Sequence, residues 1–181
     1  IPVPGRDIRA QAWYQGGISL LDFTDSSNPQ EIAFFDRGPI SATSLVLGGF
    51  WSAYWYNGNI YGAEISRGID VFKLLPSEHL TENELAAANL VRFEEFNSQN
   101  QPKVAWPPSS AVAKSYVDQL NRSKGISSQR ARTITDVLSK ADQRRTGKEG
   151  SAAGTLTALD AAAAQVEGDA NAATGQDQKR L

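Results

Sequence analysis

The sequence has no cysteine and only one histidine, His79. The first absence removes disulfide staples, thiolate metal sites and a cysteine nucleophile. The second removes any multi-histidine metal site and most histidine-based catalysis. No apolar run approaches the roughly 18 residues that a membrane-spanning helix needs. There is no large excess of either charge: the net charge is −2, which does not suit a general nucleic-acid binder. The chain starts at Ile1 rather than Met, which leads to the expectation of a processed or truncated product whose signal peptide, if it had one, is gone.

Aromatic residues are almost missing from the second half. Fifteen of the 16 precede Pro108, and only Tyr116 follows it. Residues 1–108 carry a net charge of −5 and residues 109–181 a net charge of +3. Aromatic side chains supply much of the buried area of a small core, so the first part can build one and the second can bury much less. The reading is of propeller-like β blades over residues 1–76, then a capping helix, a final strand and a proline-rich joint over 77–108, then a helical tail over 109–181. The expected class is mainly β, as about two propeller-like blades or an open sheet or sandwich, followed by a small α-helical C-terminal region.

The β signals are short apolar runs between turns. Trp13-Tyr14, the Gly16-Gly17 turn and residues 18–23 read as strand, turn, strand. Residues 25–29 form an Asx- and proline-containing turn before a strand at 31–35, and Leu45-Val46-Leu47 reads as a short strand. Asn57-Gly58 between aromatic runs is a strong hairpin signal. Residues 69–74 alternate apolar and polar. An ungapped offset of 51 residues places Ala12, Gly17, Ile18, Leu20 and Leu21 on Ala63, Gly68, Ile69, Val71 and Phe72. Such a period suits propeller blades, with the two glycines supplying positive φ; two chance-alike hairpins in a sandwich would give the same matches.

Beyond Pro76, Thr81 and Glu84 make a capping box before an alanine-rich helix, and residues 91–96 read as a last strand. Past the joint, three stripes have helical spacing: Ala111, Val112, Tyr116, Val117 and Leu120; Ile134, Val137, Leu138 and Ala141; and a weaker one of Leu156, Leu159, Ala163 and Val166 ending near Gly168. They suit a small bundle, and the last dozen or so polar residues are expected to fray.

Residues 18–29, with Leu20-Leu21-Asp22, Thr24-Asp25 and Pro29, resemble the LVIVD repeat, in which an apolar strand and an Asp precede a Ser/Thr-Asp-Pro turn. Ser26 stands where the family has its first proline. Residues 49–56 and 67–72 are similar to the closing blades of bacterial proteins with this repeat, and the part after Trp106-Pro107 to their C-terminal extension. The resemblance implies an exported bacterial β-propeller of about seven blades, with no established catalysis and no catalytic residues to carry over. Residues 1–108 hold only about two blades, while a closed propeller needs at least about four. Three arrangements are expected: the missing blades lie upstream on a precursor, they remain bound as a separate chain, or this part is re-folded as a β-sandwich-like unit stabilised by another protein.

Each chemical candidate has a plainer structural reading. His79 reads as an exposed residue before a helix. Asp22, Thr24 and Asp25 offer oxygen ligands for calcium, or simply cap a turn. Glu94 and Glu95, with Glu82 and Glu84, could pair for acid–base work, but neighbours on a strand point to opposite faces. Ser41, Ser44, Ser52 and Ser66 lack a nucleophile elbow. Arg130, Arg132, Lys140, Arg144, Arg145 and Lys148 make the tail mildly basic, as for an anionic surface or a solvated helix face.

The sequence therefore points to a non-enzymatic extracytoplasmic scaffold subunit, periplasmic or cell-surface. It would dock onto a larger assembly through aromatic strand surface and sheet edges. Trp13, Tyr14, Trp51, Trp55 and Tyr56 are the docking candidates, with no cofactor, metal or nucleic acid involved. The expected partner is another polypeptide: upstream blades or an envelope assembly. The alternative is a ligand-binding or hydrolytic propeller whose channel would use Asp22, Asp70 and Arg67, and a weaker one a carbohydrate-binding module using the tryptophans.

Overall fold

The computed structural model describes residues 1–100, 103–147 and 152–181. Gln101 and Pro102 of the expected joint, and Lys148 of the expected basic face, lie outside the described residues. The chain divides into two units, Ile1–Trp106 and Pro107–Leu181.

The first unit holds two three-stranded antiparallel sheets. β1 (Ile8–Ala12), β2 (Ile18–Asp22) and β3 (Gln30–Phe35) form one in that order; β4 (Phe50–Tyr56), β5 (Asn59–Glu64) and β6 (Gly68–Lys73) form the other. The glycine turns of the repeat fall at matching places. Gly17, with φ +85°, precedes β2, and Gly68, with φ +93°, opens β6. A β-carbon on Gly17 would meet the Phe35 carbonyl oxygen at 2.0 Å, so the turn has no room for a side chain. The offset thus maps β1 and β2 onto β5 and β6.

The sheets stack face to face. Ile8, Leu20 and Ile32 from the first share a core with Trp55 and Ile60 from the second, closed by Val3, Leu80, Ala88 and Val91. Phe35, Phe50 and Phe72 cluster beside it, with Phe35 and Phe72 ring centroids 4.6 Å apart. The repeat is oriented in tandem. Ile18 and Leu20 on β2 are buried, whereas their counterparts Ile69 and Val71 on β6 are 73% and 57% exposed. The equivalent face of the second sheet therefore points away from the first.

Two expected strands are absent. At Leu45-Val46-Leu47 the chain is irregular and Leu45 is fully exposed. Its backbone is held by side chains instead: Gln15 Nε2 donates to the Val46 carbonyl at 2.6 Å and Ser66 Oγ to the Leu47 carbonyl at 3.0 Å. Residues 91–96 are also irregular. There the Asn57 side chain takes the place of a neighbouring strand, donating to the Phe93 carbonyl and accepting from the Phe93 N–H, both at 2.9 Å. Nor do Trp13 and Tyr14 extend β1: Tyr14 has φ +54° and makes an isolated bridge to Phe50. The capping box is present, starting α1 (Glu82–Ala88).

The second unit is helical: α2 (Ser110–Ser123), α3 (Ser128–Arg145), α4 (Ala152–Ala172) and α5 (Gly175–Arg180). Ser109 and Ser127 cap α2 and α3 through their hydroxyls. Val117, Leu120, Ile126, Ala131 and Ile134 form the core, with Leu138, Val166 and Leu181 against it. The C-terminal residues do not fray. α4 continues past Gly168, and α5 is fastened by the Ser123 hydroxyl donating to Asp177 at 2.7 Å and by Leu181 in the core.

The chain is thus strands followed by helices, but mixed α/β rather than mainly β, with 39% helix and 21% strand among the described residues. Short strands of five to seven residues contribute less than the long tail helices. Among the described residues the sheets close into neither a barrel nor a propeller. No described helix is long and apolar enough to cross a membrane.

Candidate docking site

Trp13, Tyr14 and Trp51 come together where the turn after β1 meets the start of β4. The Tyr14 N–H donates to the Phe50 carbonyl at 3.1 Å, and the Phe50 N–H donates back to the Tyr14 carbonyl at 2.9 Å. Register then shifts between Phe50 and Ser52, leaving Trp51 without a partner on β5. A bulge re-aims a side chain in this way. Trp51 stands edge-on to Tyr14, with centroids 5.8 Å apart and planes at 89°. Trp13 Nε1 donates to Ser19 Oγ at 3.0 Å, which fixes the indole while leaving its ring open. Trp13, Tyr14 and Trp51 are 51%, 50% and 68% exposed.

A buried carboxylate holds the approach to this site. Glu64 accepts from the Gly49 N–H at 2.6 Å and the Ser66 N–H at 2.8 Å. Burial works against its charge, but the backbone N–H groups of Gly49, Ser66 and Arg67 hold its pKa below the usual glutamate value. It anchors the loop before β4 and leaves little lone-pair capacity for chemistry.

The other two docking candidates have structural places. Trp55 is buried, 9% exposed, in the core of the first unit, so it is not available to a partner. Beyond the bulge, alternation turns it inward with Ala53, and the extra residue at the bulge brings Phe50 onto that same face. Tyr56 is half-buried, its hydroxyl donating to the Phe93 carbonyl at 3.0 Å. Sequence reasoning missed a second apolar surface. Tyr54, Tyr61, Ile69 and Val71 share the outer face of the second sheet through the pairs Tyr54 to Tyr61 and Tyr61 to Val71. The alternation in residues 69–74 was its signal, but it did not say which face was covered.

The remaining candidates do not converge on one site. Asp22 receives Arg6 Nη2 at 2.6 Å and the Thr24 N–H at 2.9 Å, while Asp25 caps Ser27. Burial pushes the Asp22 carboxyl up, but Thr24 and Arg6 bring its pKa below the usual aspartate value. Asp70 pairs with Arg37, so Asp22 and Asp70 of the expected channel are satisfied by different cations. Arg6, which the sequence did not single out, also reaches Glu84 at 2.8 Å and the His79 carbonyl at 2.6 Å. The His79 ring is partly exposed beside Glu78. Glu94 and Glu95 are exposed outside any strand. Ser41 accepts from the N–H groups of Thr43 and Ser44. No group of three or more acidic or histidine side chains suited to a metal occurs among the described residues. In the tail, Arg130 is engaged by Asp169 at 2.9 Å and by Gln165.

No protein-family model, curated protein or solved structure matches this chain.

Proposed function

We propose that this chain is a non-enzymatic scaffold subunit that docks another polypeptide through the Trp13, Tyr14 and Trp51 cluster and its open sheet edges. The observation that carries the reading is the exposure of these three rings together at a rigidly bonded junction. Exposed aromatics fixed in place are the usual anchors of protein interfaces, because little entropy is lost when they are covered. The tandem orientation of the two sheets supports the propeller-like reading and, with it, the resemblance to LVIVD proteins and an exported, envelope location. A stack of like sheets buries each face against the next, and the apolar outer face of β4 to β6 is the face such a stack leaves open.

The test is native mass spectrometry of the gently purified chain, followed by binding of each co-purifying polypeptide to wild type and to Trp13→Ala/Trp51→Ala. The reading expects a stoichiometric partner whose affinity falls at least tenfold in the double variant, with the circular dichroism of the chain unchanged. Equal binding by both proteins overturns it.

A further inference from the structure

β6 is an edge strand. It pairs with β5, and among the described residues no strand pairs with its other edge. Its counterpart β2 is flanked on both sides, by β1 and by β3. The offset that carries Gly17 onto Gly68 carries β3 onto residues 81–86, and there the chain has the Thr81 cap and the start of α1. The second sheet therefore lacks the strand that the repeat gives the first. The local reason is plain: the capping box and the alanine run favour helix over strand at those residues.

The free edge has room beside it and little to block it. An apolar cavity of about 360 Å³ lies between the sheets on the β3 and β6 side, walled by Leu20, Ile32, Phe35, Ile60, Phe72 and Leu80. β6 has no proline and pairs with β5 without a register shift. Its Ile69 and Val71 are exposed, and its Asp70 is taken up by Arg37. Natural edges are ordinarily blunted by proline, by bulges or by unpaired charges.

We propose that the β6 edge binds an extended strand of another polypeptide as the fourth strand of the second sheet. This rests on the docking reading above and names the chemistry of the segment taken. The internal template is β3, whose Phe35 and Ala33 stand opposite Ile18 and Leu20. Moved by the same offset, such a strand sets its apolar residues opposite Ile69 and Val71. Lys73 stands where Asp22 stands on β2, opposite Gln30 of the template, so β6 offers a cation at that position and favours a strand that is acidic there. Main-chain hydrogen bonds supply affinity and alternate side chains supply selectivity.

The probe is a fluorescein-labelled peptide of residues 28–37, titrated into the full chain and followed by anisotropy. The proposal expects saturable one-to-one binding and slowed amide exchange in Gly68–Lys73, with the edges of β1 and β4 unaffected. A peptide with Gln30→Glu should bind about threefold tighter than the parent peptide, and Lys73→Glu should reverse that preference. The same peptide N-methylated at alternate amides should not bind. Absence of saturable binding, protection on another edge, or indifference to N-methylation overturns the proposal. If the chain pairs with itself through β6 and the peptide disperses the pairs, the occupant is a second copy and the assignment to another polypeptide fails. Trp51→Ala should bind the peptide as wild type does, so loss at the aromatic cluster and loss at the edge are read separately.

Discussion

Ile18 on β2 packs so closely on Gly62 of β5 that a β-carbon added to Gly62 would lie 2.7 Å from Ile18 Cδ1. This contact sets how near the two sheets approach. Phe50 presses on the same point, at 2.8 Å. Gly62→Ala should therefore cost about 1–3 kcal/mol through overpacking. Ile18→Val removes the clashing methyl and should recover part of the loss. A double-mutant cycle by urea denaturation measures this, and additive effects would contradict the account.

Arg6 ties the N-terminal loop to both β2 and α1 and is almost wholly buried, as is Glu84. Removing one member of such a cluster leaves a buried charge without its partner. Arg6→Met should destabilise the first unit by about 3–5 kcal/mol. Chemical denaturation of the variant reads the value directly.

The lowered pKa of Asp22 gives stability a sign in acid. A carboxyl whose folded pKa lies below its unfolded value binds fewer protons when folded, so its contribution is present above the unfolded pKa, about 3.9. It is lost as pH falls through the folded value. The melting temperature should hold above about pH 5 and fall below about pH 4. In Asp22→Asn the drop below pH 4 should be shallower. An acid profile equal to wild type would contradict this.

Trp55 and Trp51 should separate stability from docking. Trp55→Ala opens the core and should cost about 3–5 kcal/mol. Trp51 is 68% exposed, so Trp51→Ala gives up mainly an edge-to-face pair with Tyr14, about 0.5–1.5 kcal/mol, and should cost far less. Thermal melts of the two variants make the comparison.

Much of this architecture is legible in the sequence because short-range chemistry decides it. Asn57-Gly58, the Gly17 and Gly68 turns and the Thr81 to Glu84 box each act within a few residues, and each falls where its chemistry puts it. The misread segments are those settled at long range. Residues 91–96 have strand composition, but the Asn57 side chain, 36 positions away, takes up the backbone N–H and carbonyl of Phe93. Gln15 does the same for the loop at Val46, 31 positions away. The tail end looked polar and free, yet Leu181 reaches a core built by α2 and α3. The docking candidates divide for a similar reason. Alternation shows that half of an aromatic strand turns inward, but the bulge at Phe50 and Ser52, which sequence does not reveal, decides that Trp51 is out and Trp55 in.

The central claim is that the rings of Trp13, Tyr14 and Trp51 are covered by another polypeptide in the cell. Hydroxyl-radical footprinting of the gently isolated assembly against the purified chain tests it most directly. The account predicts strong protection of these three residues in the assembly, with Trp55 unreactive in both samples. Equal oxidation of Trp13, Tyr14 and Trp51 in the assembly and in the free chain would contradict it.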